Sequence, residues 1–253
     1  MTSGASAPRR PLLVLLPAML APAAALAAVA LAGPWPSLGR AALPALATAA
    51  VYPVFAFFVA RGARRSAVLS ALLWAASLSA AIIVLAARDP EGTGRAVLMG
   101  PSYRDEMFQY VASGAGRETD PGRFVPQHLL HAGLFSVVTL LSGGLLGLAM
   151  GSALVGYMSF YVGALAGGPH PATAALLGWP PWAIVRVVAF VLLGAVLARP
   201  LLVRLRGAPA APLFEPDDRR LFLAAVLLLI ADIVLKTTLA PTWSTLLRPC
   251  LPT

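Results

Sequence analysis

Charge is scarce in this 253-residue chain, cysteine scarcer still, and lysine almost absent. Only 11% of its residues are Asp, Glu, Lys or Arg, against about a quarter in soluble domains. With 59% apolar side chains and a mean hydropathy of +0.81, that deficit excludes a water-soluble globular domain. The single cysteine, Cys250, excludes an intramolecular disulfide, a multi-thiolate zinc cage and an all-cysteine iron–sulfur site. All but one of the 19 basic residues are arginine, the exception being Lys236, and the net charge is +9. In a soluble protein such a balance points to nucleic acid. Here no nucleic-acid partner is expected, because the arginines form short clusters beside apolar runs, where they set topology and bind anionic lipid headgroups of the bilayer.

What the chain does have is apolar runs of bilayer length. A hydrocarbon core of about 30 Å takes about 20 helical residues. Spans are expected at about 11–32, 41–60, 66–87, 128–146, 148–166, 182–198 and 221–239. The first ends in Ala30-Leu31-Ala32, a signal-peptidase-like site, but its run exceeds a signal core of about 7 to 15 residues, so a retained helix is expected. The stretch 128–167 makes about 60 Å of helix, twice the hydrocarbon thickness. A turn must therefore fall among Gly143, Gly144, Gly147 and Gly151. The expected fold is all-α, a polytopic membrane helix bundle of seven transmembrane helices forming one domain over 1–253, with a long loop at 88–127.

The positive-inside rule orients this set with the amino end cytoplasmic and the carboxyl end outside. Arg9, Arg10, Arg61, Arg64, Arg65, Arg199, Arg204, Arg206, Arg219 and Arg220 then lie inside, and the 88–127 loop lies outside. Trp35, Trp179, Trp182 and Trp243 fall at the outer boundaries, as an interfacial belt requires. Within the loop, Ser102 followed by Asp105 resembles a capping box, and Tyr103, Met107, Phe108, Tyr110 and Val111 recur near helical spacing until Gly114. A short amphipathic helix is expected there, on the outer leaflet or capping the bundle. Richness in alanine, arginine and proline points to a high-GC bacterial genome and so to a cytoplasmic (inner) membrane.

A faint internal repeat accompanies the spans. Gly33-Pro34-Trp35-Pro36, then Arg40 and an apolar run to Arg61, is echoed by Gly178-Trp179-Pro180-Pro181, then Arg186 and an apolar run to Arg199. A true repeat would make spans one to three and five to seven parallel copies, a three-one-three plan known from some small transporters. Common interfacial Pro and Trp with inner arginines produce the same pattern without a repeat.

The polar groups that could carry chemistry collect in the expected outer half. His128 and His131 share one helical face and, with Glu106 or Glu118 folding over from the loop, could ligate a divalent metal that activates water for hydrolysis. A metal-free variant uses the glutamate and histidines directly. Glu106, His128 and His131 are thus both the catalytic and the metal candidates, although the chain has no HExxH. Asp232 and Lys236 lie one turn apart in the last span, where they can pair with each other, or Asp232 with Arg186 from the sixth. An intramembrane acid is by default a proton- or cation-handling group, which makes Arg186, Asp232 and Lys236 the substrate- or ion-binding candidates. The bland readings are a charge pair that only locks helices and a snorkelling Lys236. The function expected is a transporter or permease-like protein with a polar site at the outer leaflet. The alternatives are a membrane-embedded hydrolase acting at the outer face, or an assembly subunit bound to a partner membrane protein.

Overall fold

The computed structural model describes residues 10–207 and 215–252; Arg9 lies outside the described residues. Among these the chain is helical throughout, with no strand. In order the helices are α1 (Arg10–Ala32), α2 (Pro36–Ala60), α3 (Arg64–Arg88), α4 (Pro90–Ala96), α5 (Gly100–Ser113), α6 (Pro121–Ser142), α7 (Leu145–Ala166), α8 (Pro171–Leu177), α9 (Pro181–Leu197), α10 (Arg199–Leu205) and α11 (Pro216–Leu247). Seven segments are long and apolar enough to cross a membrane: α1, α2, α3, α6, α7, α9 continued by α10, and α11. The chain is a multi-pass helical membrane protein.

Proline explains most of the difference between apolar runs and real helices. Pro36, Pro121, Pro181 and Pro216 each open a helix, where the missing N–H is no loss and the fixed φ is already helical. Spans two, four and seven therefore begin at 36, 121 and 216 rather than 41, 128 and 221. The 32 residues of α11 make about 48 Å, so this helix outruns the hydrocarbon.

The glycine-rich turn is settled by backbone angles. Gly143 and Gly144 take φ of 59° and 93°, and the chain reverses between α6 and α7 there. Gly147 has a different role: a Cβ at that position would lie 2.0 Å from Thr139 Oγ1, so its hydrogen lets α7 approach α6. Gly151 faces open space.

Between α3 and α6, Asp89 caps α4 by accepting the Gly92 N–H at 2.8 Å. Met99, at φ 59°, then leads into α5. Ser102 is not the cap expected; it lies inside the first turn and its hydroxyl donates to the Met99 carbonyl at 3.0 Å. Gly114, at φ 73°, ends the helix. Met107, Tyr110 and Val111 are buried where α5 packs on α7 and α11, while Asp105 and Gln109 are exposed.

The bundle has two parts. Helices α1, α2 and α3 pack against one another, and α7 lies against α2, α3, α5 and α6 at the centre. Helix α9 packs closely along α11 but only lightly on α7. Spans five to seven thus lack the mutual packing of spans one to three that parallel copies would share. Trp182 also departs from the interfacial belt: it is buried, edge-on to Trp243, whose indole N–H donates to the Leu177 carbonyl at 2.9 Å.

Candidate functional site

Helices α9 and α11 run antiparallel, which brings Arg186, near the start of one, level with Asp232, halfway along the other. Arg186 Nε and Nη2 donate to Asp232 Oδ2 and Oδ1 at 2.8 and 2.9 Å, a two-bond fork on a carboxylate that is 1% exposed. Of the two partners open to Asp232 in the sequence, the arginine is the one it meets. Lys236 turns elsewhere, its Nζ lying 2.9 Å from Glu118 Oε2 and 4.6 Å above the centre of the Phe124 ring. At 2% exposure Lys236 does not snorkel; Glu118, from the short 3-10 turn Arg117–Thr119, comes inward to meet it.

The histidines of α6 diverge. His128 Nδ1 lies 2.7 Å from the Phe124 carbonyl, so that nitrogen carries the proton and donates it there. Nε2 is then a bare acceptor in the neutral ring, 3.6 Å from Asp232 Oδ2, buried and without a hydrogen-bond partner among the described residues. Two acceptors thus face each other at a separation longer than a hydrogen bond. His131 instead lines a chamber of about 380 Å³ together with Ser102, Tyr103, Glu106, Glu118, Gln127 and Tyr157. His131 also borders the small space of about 50 Å³ beside His128, Arg186 and Asp232, so one imidazole lies between chamber and ion pair.

Among the described residues no three His, Cys, Asp or Glu side chains form a group that could hold a metal ion. The reason is visible in the partners of the expected trio. Glu106 pairs with Arg117 at 3.1 Å, His128 faces Asp232, and only Glu106 and His131 share the chamber wall. Burial pushes the Tyr103 phenol well above its ordinary value, so it enters the chamber as a neutral hydroxyl. Tyr110, also raised by burial, donates to the Ala240 carbonyl at 2.5 Å and ties α5 to α11.

At the far end of α11 sits a second ionic cluster. Asp218, fully buried, accepts from Arg64 Nε at 2.5 Å and from Arg199 Nη1 at 3.1 Å. Arg64 Nη2 also donates to Glu215 at 2.8 Å, Arg199 makes a further bond to Glu215, and the Glu215 N–H donates to Asp218 Oδ2 at 3.1 Å. The Arg64 hydrogen bond holds the Glu215 carboxyl below its ordinary range. Arg64 and Arg199 are therefore joints between α3, α10 and α11 as well as flanking charges. The one signal for this in the sequence is Glu215 followed three residues later by Asp218, the spacing of a capping box. The roles of Tyr103, Arg117, Gln127 and Tyr157 had no signal beyond their polarity. Compared with protein-family models, with curated proteins and with solved structures, the chain matches none.

Proposed function

We propose that the protein is a permease of the cytoplasmic membrane, with its amino end inside and its chamber facing out, and that the Arg186–Asp232 pair responds to what enters the chamber. The observation that carries this reading is a buried ion pair from two helices, flanked by the unsatisfied His128 Nε2 and bordered by a small space that shares His131 with the chamber wall. A pair used only to lock helices has no need of a polar chamber or of a bare imidazole acceptor beside it. Light packing of α9 on α7 supports a moving part, since helices that slide need few interdigitated contacts. The orientation is supported by Arg61, Arg65, Arg204, Arg206, Arg219 and Arg220, all exposed at the Arg64 end, where they suit an anionic inner leaflet.

Alternating access is the behaviour that separates this reading from a one-sided enzyme. Leu154 lines the chamber, so Leu154→Cys in a Cys250→Ser background reports who can reach it. A permease lets a membrane-impermeant thiol reagent react from both sides in right-side-out and inverted vesicles. Reaction from the chamber side alone contradicts it and favours the second reading, a hydrolase in which Glu106 and His131, which share the chamber wall, activate water.

A further inference from the structure

The side of α9 that faces α3 and α7 is bordered by space. Between α3 and α9 runs an apolar groove of about 420 Å³ walled by Ala76, Ala80, Ile83, Val155, Ile184 and Val187. Ala76, Ala80 and Ile184 are exposed, so the groove opens sideways at the height of the hydrocarbon rather than toward water. A neck of about 30 Å³ shares Val155, Trp179 and Val187 with this groove, and His131 and Tyr157 with the polar chamber. Arg186 stands in the wall of the neck. An apolar trough and a polar chamber thus meet at one constriction. At that constriction Trp179 Nε1 is buried with no acceptor among the described residues, a costly state for a donor in an apolar wall.

We infer that groove, neck and chamber together bind one membrane lipid, its tail in the α3–α9 groove and its polar head at His131 and Tyr157. A water-soluble solute has no use for the groove, and a plain hydrocarbon has none for the chamber. An amphiphile uses both, and its head passes the unpaired Trp179 N–H on the way. The head is zwitterionic or uncharged, because every charged group of the chamber wall is already paired, Glu106 with Arg117 and Glu118 with the buried Lys236, and Arg186 in the neck is paired with Asp232. The inference names a substrate class for the permease and rests on that reading for the word substrate; binding itself does not.

The test is photolabelling of the full chain in phosphatidylglycerol nanodiscs, with trace phosphatidylethanolamine bearing a diazirine in its acyl chain. Labelled peptides are mapped by mass spectrometry. Labelling is expected on the segment around Ile184 to Val188 and is expected to be competed by unlabelled phosphatidylethanolamine. Filling the groove with Ala76→Phe and Ala80→Phe, both at exposed positions, lowers it about tenfold. Tyr157→Phe, which removes one hydroxyl and leaves the ring, lowers it about fivefold, as expected for a lost hydrogen bond to the head. Labelling that is not competed, or that ignores Tyr157→Phe, would mark ordinary surrounding lipid and overturn the inference. An anionic phosphatidylglycerol probe that labels equally well overturns the head assignment. Thiol reactivity from both sides with no competed labelling leaves a permease for another substrate, and the converse leaves a lipid site without transport.

Discussion

Two Arg–Asp pairs join the sixth span to α11, about 20 Å apart along the helices, and they sit in unlike surroundings. At one end Asp218 is held by Arg64 and Arg199, Glu215 binds the same two arginines, and three segments of chain close over them. At the other, Asp232 is held by Arg186 alone, His128 stops 3.6 Å short, and space adjoins the pair on the His131 side. The residue types are nearly the same in both. What differs is the number of donors per carboxylate and the adjoining space, and on the proposed reading those separate a joint from a working part. A saturated, closed pair has one arrangement of low energy, whereas a half-satisfied pair beside a chamber can trade a partner for a proton or a ligand.

The sharpest way to break the comparison is to remove the acid at each end and compare the losses. Asp218→Asn leaves the largely buried Arg64 and Arg199 with only the partly exposed Glu215 as a shared partner and should cost about 3–5 kcal/mol, read as the largest fall in thermal stability in detergent. Asp232→Asn should cost less, about 2 kcal/mol, because a small space adjoins Arg186 and its side chain keeps more exposure than Arg64 or Arg199. Equal losses would erase the distinction between the two ends. Tyr110→Phe removes a neutral hydrogen bond between α5 and Ala240 at the chamber end, and a loss of about 1 kcal/mol is expected from the same assay. The smallest effect is one of pH. Glu215 is held below its ordinary range, so its contribution is complete above about pH 4.3 and is lost as pH falls further. Glu215→Gln should flatten that acid-side loss, and an unchanged acid limb would show Glu215 to be idle.

The seven spans were legible because a run of about 20 apolar residues has few other uses, and a 40-residue run must fold back. Their ends were less so, since proline starts a helix within polar flanks that hydropathy treats as loop, as at Pro121 and Pro216. Arg186 and Asp232 could be read as partners because each is expensive alone in a membrane. The partner of Lys236 could not, because Glu118 arrives from a three-residue turn with no periodicity to place it. Helical spacing made Asp232 and Lys236 neighbours, yet spacing along one helix says nothing of better partners across the bundle. Arg64 and Arg199 were hidden for the opposite reason: arginine beside a span already has an explanation in topology, which masks its pairing with Asp218.

A double-mutant cycle on Arg186 and Asp232 tests the convergence of charge from separate helices most directly. Arg186→Gln, Asp232→Asn and the double variant are compared by thermal unfolding of the purified protein. If the two groups meet as the 2.8 and 2.9 Å bonds require, the double variant loses less than the sum of the singles, with a coupling of about 1–3 kcal/mol. Losses that simply add would place the two charges in separate surroundings and contradict it.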